Sequence, residues 1–249
     1  MIAAIALAFA SLAACGHVRV EVTRHEVLRP VERCQVGPMD VTTVEVADVR
    51  RLAPNKVLVA VVEDRVTGAR DVAAPNLAGR RYVVERAPGG AVAVTTASER
   101  GNVNDDEARR VEALAVGVLG LGTSATEDAM ARAAQTMFDP HLHDVRAPDV
   151  RVVARRQHGR GVEGGSLYGV TLEAHEADAG MCHRWTNEAR LTGEAVVEPG
   201  GASPVRRLVL HGPTRDTQAV CQGDRTPRVC NRGHIAFELR ATCGTGRGP

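Results

Sequence analysis

Two histidines stand two apart in DPHLHD, Asp139 to Asp144. In an extended segment residues i and i+2 project to the same side, and imidazole is the commonest metal ligand. His141, His143 and Asp144, with Asp139 as a further oxygen donor, therefore form a candidate metal site. A bound ion there would activate water for hydrolysis. The HxHxDH spacing of metallo-β-lactamase-like hydrolases is not met, because Asp144 follows His143 directly. Helix exits such as Asp139-Pro140 also collect polar residues that do no chemistry.

The cysteines supply the second set of candidates. Cys34, Cys182, Cys221, Cys230 and Cys243 follow Cys15. Cys221 and Cys230 bracket CQGDRTPRVC, a short polar loop with Gly, Asp and Pro, and are expected to form a disulfide. A zinc site from Cys182, His183, Cys221, Cys230 and His234 is the rival reading, but no C-x₂-C spacing supports it. Cys182-His183 is a poor nucleophile and base pair, since neighbours on a strand face opposite ways. The remaining templates fail outright. The P-loop pattern is absent, and Lys56 is the sole lysine. His25-Glu26 and His175-Glu176 lack a histidine four residues after the first, and Ser166 lacks the G-x-S-x-G elbow. No catalytic residue and no cofactor is assigned. The alternative to a non-catalytic protein is the metal-dependent hydrolase at His141 and His143.

The N-terminus carries an address. Met1 to Ala14 are uncharged and almost wholly apolar. As a helix, fourteen residues reach about 21 Å, short of the ~30 Å hydrocarbon core, so a spanning anchor is not expected. The run ends Leu12-Ala13-Ala14-Cys15-Gly16. This quartet resembles the lipobox of bacterial lipoproteins. The resemblance covers about the first sixteen residues, and the missing Lys or Arg before the apolar run departs from the pattern. It implies removal of residues 1–14 as a signal peptide and lipidation of the Cys15 thiol. It also implies a cell-envelope protein on the periplasmic side of the outer membrane, with Gly16 in place of a retention aspartate. Two or three acyl chains would hold such a protein firmly, where one binds only marginally.

Composition narrows the classes further. The chain has 249 residues and a net charge of +1, with no basic block, which disfavours nucleic acid as a partner. One Trp, two Tyr and three Phe leave few aromatic faces for stacking sugars or bases. The expected partners are the membrane, through the lipid anchor, and an envelope protein or a lipid ligand.

These residues need elements to position them. HVRVEVTRHEVL alternates Val18, Val20 and Val22 with Arg19, Glu21 and Thr23, which reads as a first strand or an extended tether over residues 15–40. Strands are expected at VTTVEVADV and KVLVAVVEDRV, and a hairpin at RRYVVER-APGG-AVAVTT. The period then changes. Asp105, Asp106 and Glu107 open a helix that aligns Val111, Leu114, Ala115 and Val118, and a capping box from Ser124 opens a second, placing helices at about 104–138. Strand patterns return from Asp149, ending in GHIAFELRATC with Ile235, Phe237, Leu239 and Ala241 on one face. Strands, then helices, then strands indicate an α+β fold over residues 41–249. It is mainly antiparallel sheet, half-barrel-like, around a central helix pair, with two β lobes as one arrangement.

Overall fold

The computed structural model describes residues 15–32, 39–69, 77–97, 103, 105–119, 126–135, 149–160, 165–179, 183–198, 205–220 and 227–244. Five strands come first: β1 (His17–Pro30), β2 (Met39–Ala53), β3 (Lys56–Ala69), β4 (Arg81–Arg86) and β5 (Val92–Thr96). Two helices follow, α1 (Asp105–Leu119) and α2 (Thr126–Gln135). Five more strands complete the chain: β6 (Asp149–Arg160), β7 (Ser166–Ala179), β8 (His183–Val197), β9 (Val205–Val220) and β10 (Arg228–Cys243).

All ten strands join one antiparallel sheet in the order β5-β4-β3-β2-β1-β10-β9-β8-β7-β6. The fold is thus α+β, mainly antiparallel, and the sheet is open, with β5 and β6 as its edges. Each half is a meander of consecutive hairpins. The halves meet at one seam, where β1 pairs β10 from Val18↔Cys243 to Pro30↔Asn231. The first stretch after Gly16 is therefore an interior strand, flanked by β2 and β10.

Period two sorts the side chains into two faces. Val18, Val20 and Val22 of β1 are buried with Val49 and Ala47 of β2, and with Val57 and Val59 of β3. Leu172, Leu191, Leu208, Leu210, Phe237 and Leu239 continue this floor across the second half. The opposite face is a charged, wet ladder. Arg215 Nη2 lies 2.6 Å from Glu188, Arg240 Nε 2.7 Å from Glu238, and Lys56 Nζ 2.7 Å from Glu85.

The helices cover the apolar face. α1 turns Glu107, Val111, Leu114 and Ala115 inward, and α2 turns Ala129, Met130, Ala133 and Ala134. Alanines on α2 let the backbones approach closely. α1 lies against β3, β4, β5 and also β9, and α2 lies against β6 and β9. One helix can reach β5 and β9 only if the strands between them curl around it. Glycines permit that curl. A Cβ on Gly212 would lie 2.1 Å from the Arg190 carbonyl oxygen, and one on Gly233 1.7 Å from that of Val27, so neither position accepts a side chain.

The β4–β5 hairpin turns where APGG predicts. Gly90 takes φ +90, and its N–H donates to the Ala87 carbonyl at 2.9 Å. The strand expected in PVRRLVLHG, by contrast, does not stop at Gly212-Pro213. It continues as β9 to Val220. Pro213 lacks an N–H, and the β8–β9 ladder is interrupted there, between Ala189↔Thr214 and Thr192↔His211.

Candidate functional site

His141, His143, Asp144 and Cys221 lie outside the described residues, as do Cys34 and Cys182. Cys230 is buried in β10 and disulfide-bonded, to a partner outside the described residues. Among the described residues no group of three or more His, Cys, Asp or Glu could hold a metal ion. Ser166 opens β7 and accepts a hydrogen bond from Arg156 Nη2 at 3.3 Å; this is strand pairing chemistry, with Arg160 opposite it in the register.

Cys15 is bonded to Cys243, joining the start of the chain's first strand to the end of its last. A sulfur in a disulfide has no valence left for a thioether. Disulfide and lipid anchor are therefore alternative fates of the Cys15 sulfur.

The apolar face also carries a polar band that the sequence motifs do not reveal. The even-numbered series of β1 runs Val18, Val20, Val22 and then Arg24, Glu26, Leu28. Glu26 is 2% exposed, and Arg24 Nη2 donates to its Oε2. The same parity brings Thr214, Asp216 and Gln218 inward beyond the leucines of β9, and Asn231 inward on β10, where it is wholly buried. Register lines up Asn187, Asp216 and Asn231 across β8, β9 and β10.

Asp216 stands at the centre of that row. Asn187 Nδ2 donates to its Oδ1 at 2.6 Å and Asn231 Nδ2 to its Oδ2 at 3.3 Å, while Thr214 Oγ1 donates to Asn187 Oδ1 at 3.3 Å. Burial, then the nearby charge of Glu26, pushes the Asp216 carboxyl up from 3.8 to about 6. The two amides and Arg24 pull the other way and do not overcome it. Glu26 Oε1 has no hydrogen-bond partner among the described residues. Gly212 and Gly233 sit on the same face between the leucine floor and this band, where Gly212 pairs with Ile235, Gly233 pairs with Thr214, and Leu28 packs over Gly233.

A second polar contact pins the helix lid. Arg110 Nη2 of α1 lies 2.6 Å from Glu45 of β2, and Arg80 pairs with Glu107. Tyr82 beneath α1 is fully buried, and its hydroxyl is pushed up to about 12, by burial first and Glu107 second. It stays protonated at physiological pH and serves packing, not proton transfer.

No protein family matches the chain, and no curated protein does. Among solved structures, lipovitellin, studied for its lipid–protein interactions, aligns at 8% identity and a TM-score of 0.43. The alignment covers 94% of this chain and 26% of that one, so the chain spans about a quarter of the lipovitellin chain. The COG4313 outer membrane channel from Pseudomonas putida F1 aligns at 12% identity and a TM-score of 0.22, covering 94% and 98%. DynF from the dynemicin biosynthesis pathway of Micromonospora chersina gives 9% identity and 0.23, covering 94% and 84%. At these scores none of them assigns a function.

Proposed function

We propose that the protein is a non-catalytic binding module of the cell envelope that holds an apolar ligand against the inner face of its curled sheet. One observation carries this reading. A single open sheet of ten strands presents a Val- and Leu-rich face, and two short helices lie across it. A sheet–helix interface of this kind can part to admit an acyl chain, because the edges β5 and β6 are not hydrogen-bonded to each other. The charged outer face is a water-facing surface, which favours a carrier over a lipid-embedded channel.

Location enters the proposal through Cys15. As a diacylglyceryl thioether it would tether the body to the outer membrane, facing the periplasm, and would leave Cys243 as a free thiol. As the disulfide, it would leave the module untethered in the same oxidising compartment. The partners proposed are the membrane through that anchor, and an envelope protein or a lipid ligand.

The test is mass spectrometry of a form beginning at Gly16, exported through a cleavable signal. We expect the native mass to exceed the denatured mass by one lipid. Equal masses would overturn the carrier reading and leave protein binding, to be sought by crosslinking in the membrane. The rival hydrolase predicts a stoichiometric metal instead, lost in His141→Ala; metal-free purified protein would sink it.

A further inference from the structure

We propose that the polar band around Glu26 and Asp216 is the head-group subsite of the module, and that it selects an amphiphile with a cationic ammonium head. The inference rests on the apolar-ligand reading above and adds the chemical class of the ligand.

The charge balance points to a cation. Among the described residues, two carboxylates, Glu26 and Asp216, face one guanidinium, Arg24, so these three groups carry an excess negative charge when both acids are ionised. Arg24 donates to one oxygen of Glu26, and the other, Oε1, is buried with no hydrogen-bond partner among the described residues. A buried acceptor left in that state is destabilising, and an ammonium N–H would satisfy it. Asp216 keeps its carboxylate oriented between two amide donors, Asn187 and Asn231. Both amides face an anion through their N–H groups, which is the arrangement that holds a carboxylate ready for a cation.

Register places the Asp216 row at the end of an apolar floor, with Glu26 flanking the last apolar position, Ile235. Along β9 the inward residues run Leu208, Leu210, Gly212, Thr214, Asp216, and along β10 they run Leu239, Phe237, Ile235, Gly233, Asn231. Apolar side chains thus give way to polar ones across a pair of glycines. An amphiphile laid along these strands would set its chain on the leucines and its head beside Asp216 and Glu26. An anionic head would meet two carboxylates, and a neutral head would leave the second carboxylate of the band uncompensated by charge.

The experiment compares three twelve-carbon amphiphiles below their micellar concentrations, dodecylammonium, dodecyl maltoside and dodecyl sulfate, by titration calorimetry on the protein with its Cys15–Cys243 disulfide intact. The expected order is ammonium tightest, by about tenfold over the maltoside, with sulfate weakest. In Glu26→Gln or Asp216→Asn, checked for native circular dichroism, the ammonium preference should fall to within about twofold to threefold, whereas Glu188→Gln on the outer face should keep it. Equal binding of all three heads by the wild-type protein would overturn the cationic subsite and leave the apolar module standing. Binding of none would overturn both. The wild-type ranking decides the matter even if an inner-face variant fails to fold.

Discussion

A carboxylate whose pKa rises on folding removes stability as the pH rises, and Asp216 is such a group at about 6 against 3.8. The folded state binds the proton more tightly than the unfolded chain. Its contribution is therefore full below about 4 and is lost as pH passes through about 6. Burial sets this first and Glu26 second, both opposing the charge, while Asn231, Asn187 and Arg24 favour it. Urea unfolding at pH 4.5 and 7.5 should show Asp216→Asn gaining on the wild-type protein by about 1–3 kcal/mol at the higher pH. Parallel stabilities of the two proteins across that range would refute the assignment. This position was legible in principle and was missed. The alternation that marks Val18, Val20 and Val22 as inward also marks Arg24 and Glu26, and the rule that charges face water hides them. Parity, followed without regard to residue type, finds Glu26, Asp216 and Asn231 alike. The histidines of DPHLHD were conspicuous for the opposite reason, since they are chemically suggestive wherever they lie.

At the scale of elements, local patterns were readable and lateral neighbours were not. The APGG hairpin, the acidic start of α1 and the Ile235 to Ala241 alternation follow from backbone dihedrals, the helix dipole and the pleat, all of which act within a few residues. The docking of α1 depends on a distant residue. Arg110 and Glu45 are both largely shielded from water, at 11% and 3% side-chain exposure, and the pair ties the helix to β2. Removing one member leaves the other charge buried, at a cost of about 3–5 kcal/mol. We expect Arg110→Met to unfold at markedly lower urea concentration, and Arg110→Met with Glu45→Met to recover most of the loss. A double variant no better than the single one would show that the partners act separately. Glu112 and Arg132, 3.8 Å apart and more exposed, should change stability by less than about 1 kcal/mol when either is replaced.

The whole molecule turns on its seam. Every other strand pairing is a hairpin between consecutive strands, formed locally, whereas β1 and β10 come from opposite ends of the chain. That pairing carries the largest loop-closure entropy and is invisible to any short sequence window. The Cys15–Cys243 disulfide spans 228 positions and locks this contact. In the chain-entropy model so long a loop contributes about 5 kcal/mol. Cys15→Ser and Cys243→Ser should each therefore lower the urea midpoint by the same large step, and the double variant should fall no further, because one bond is lost in all three. Reductant should bring the wild-type protein to at least that level, since Cys230 is disulfide-bonded as well. The same measurement reads the fate of Cys15 in the cell. Protein extracted from envelopes with a blocked, acyl-bearing Cys15 and one alkylatable thiol at Cys243 is tethered and lacks the staple. Its seam would then be held by the strand ladder and floor alone, with a midpoint matching Cys243→Ser. Protein with no free thiol at Cys243 and no acyl mass on Cys15 is untethered, and the lipid anchor is refuted.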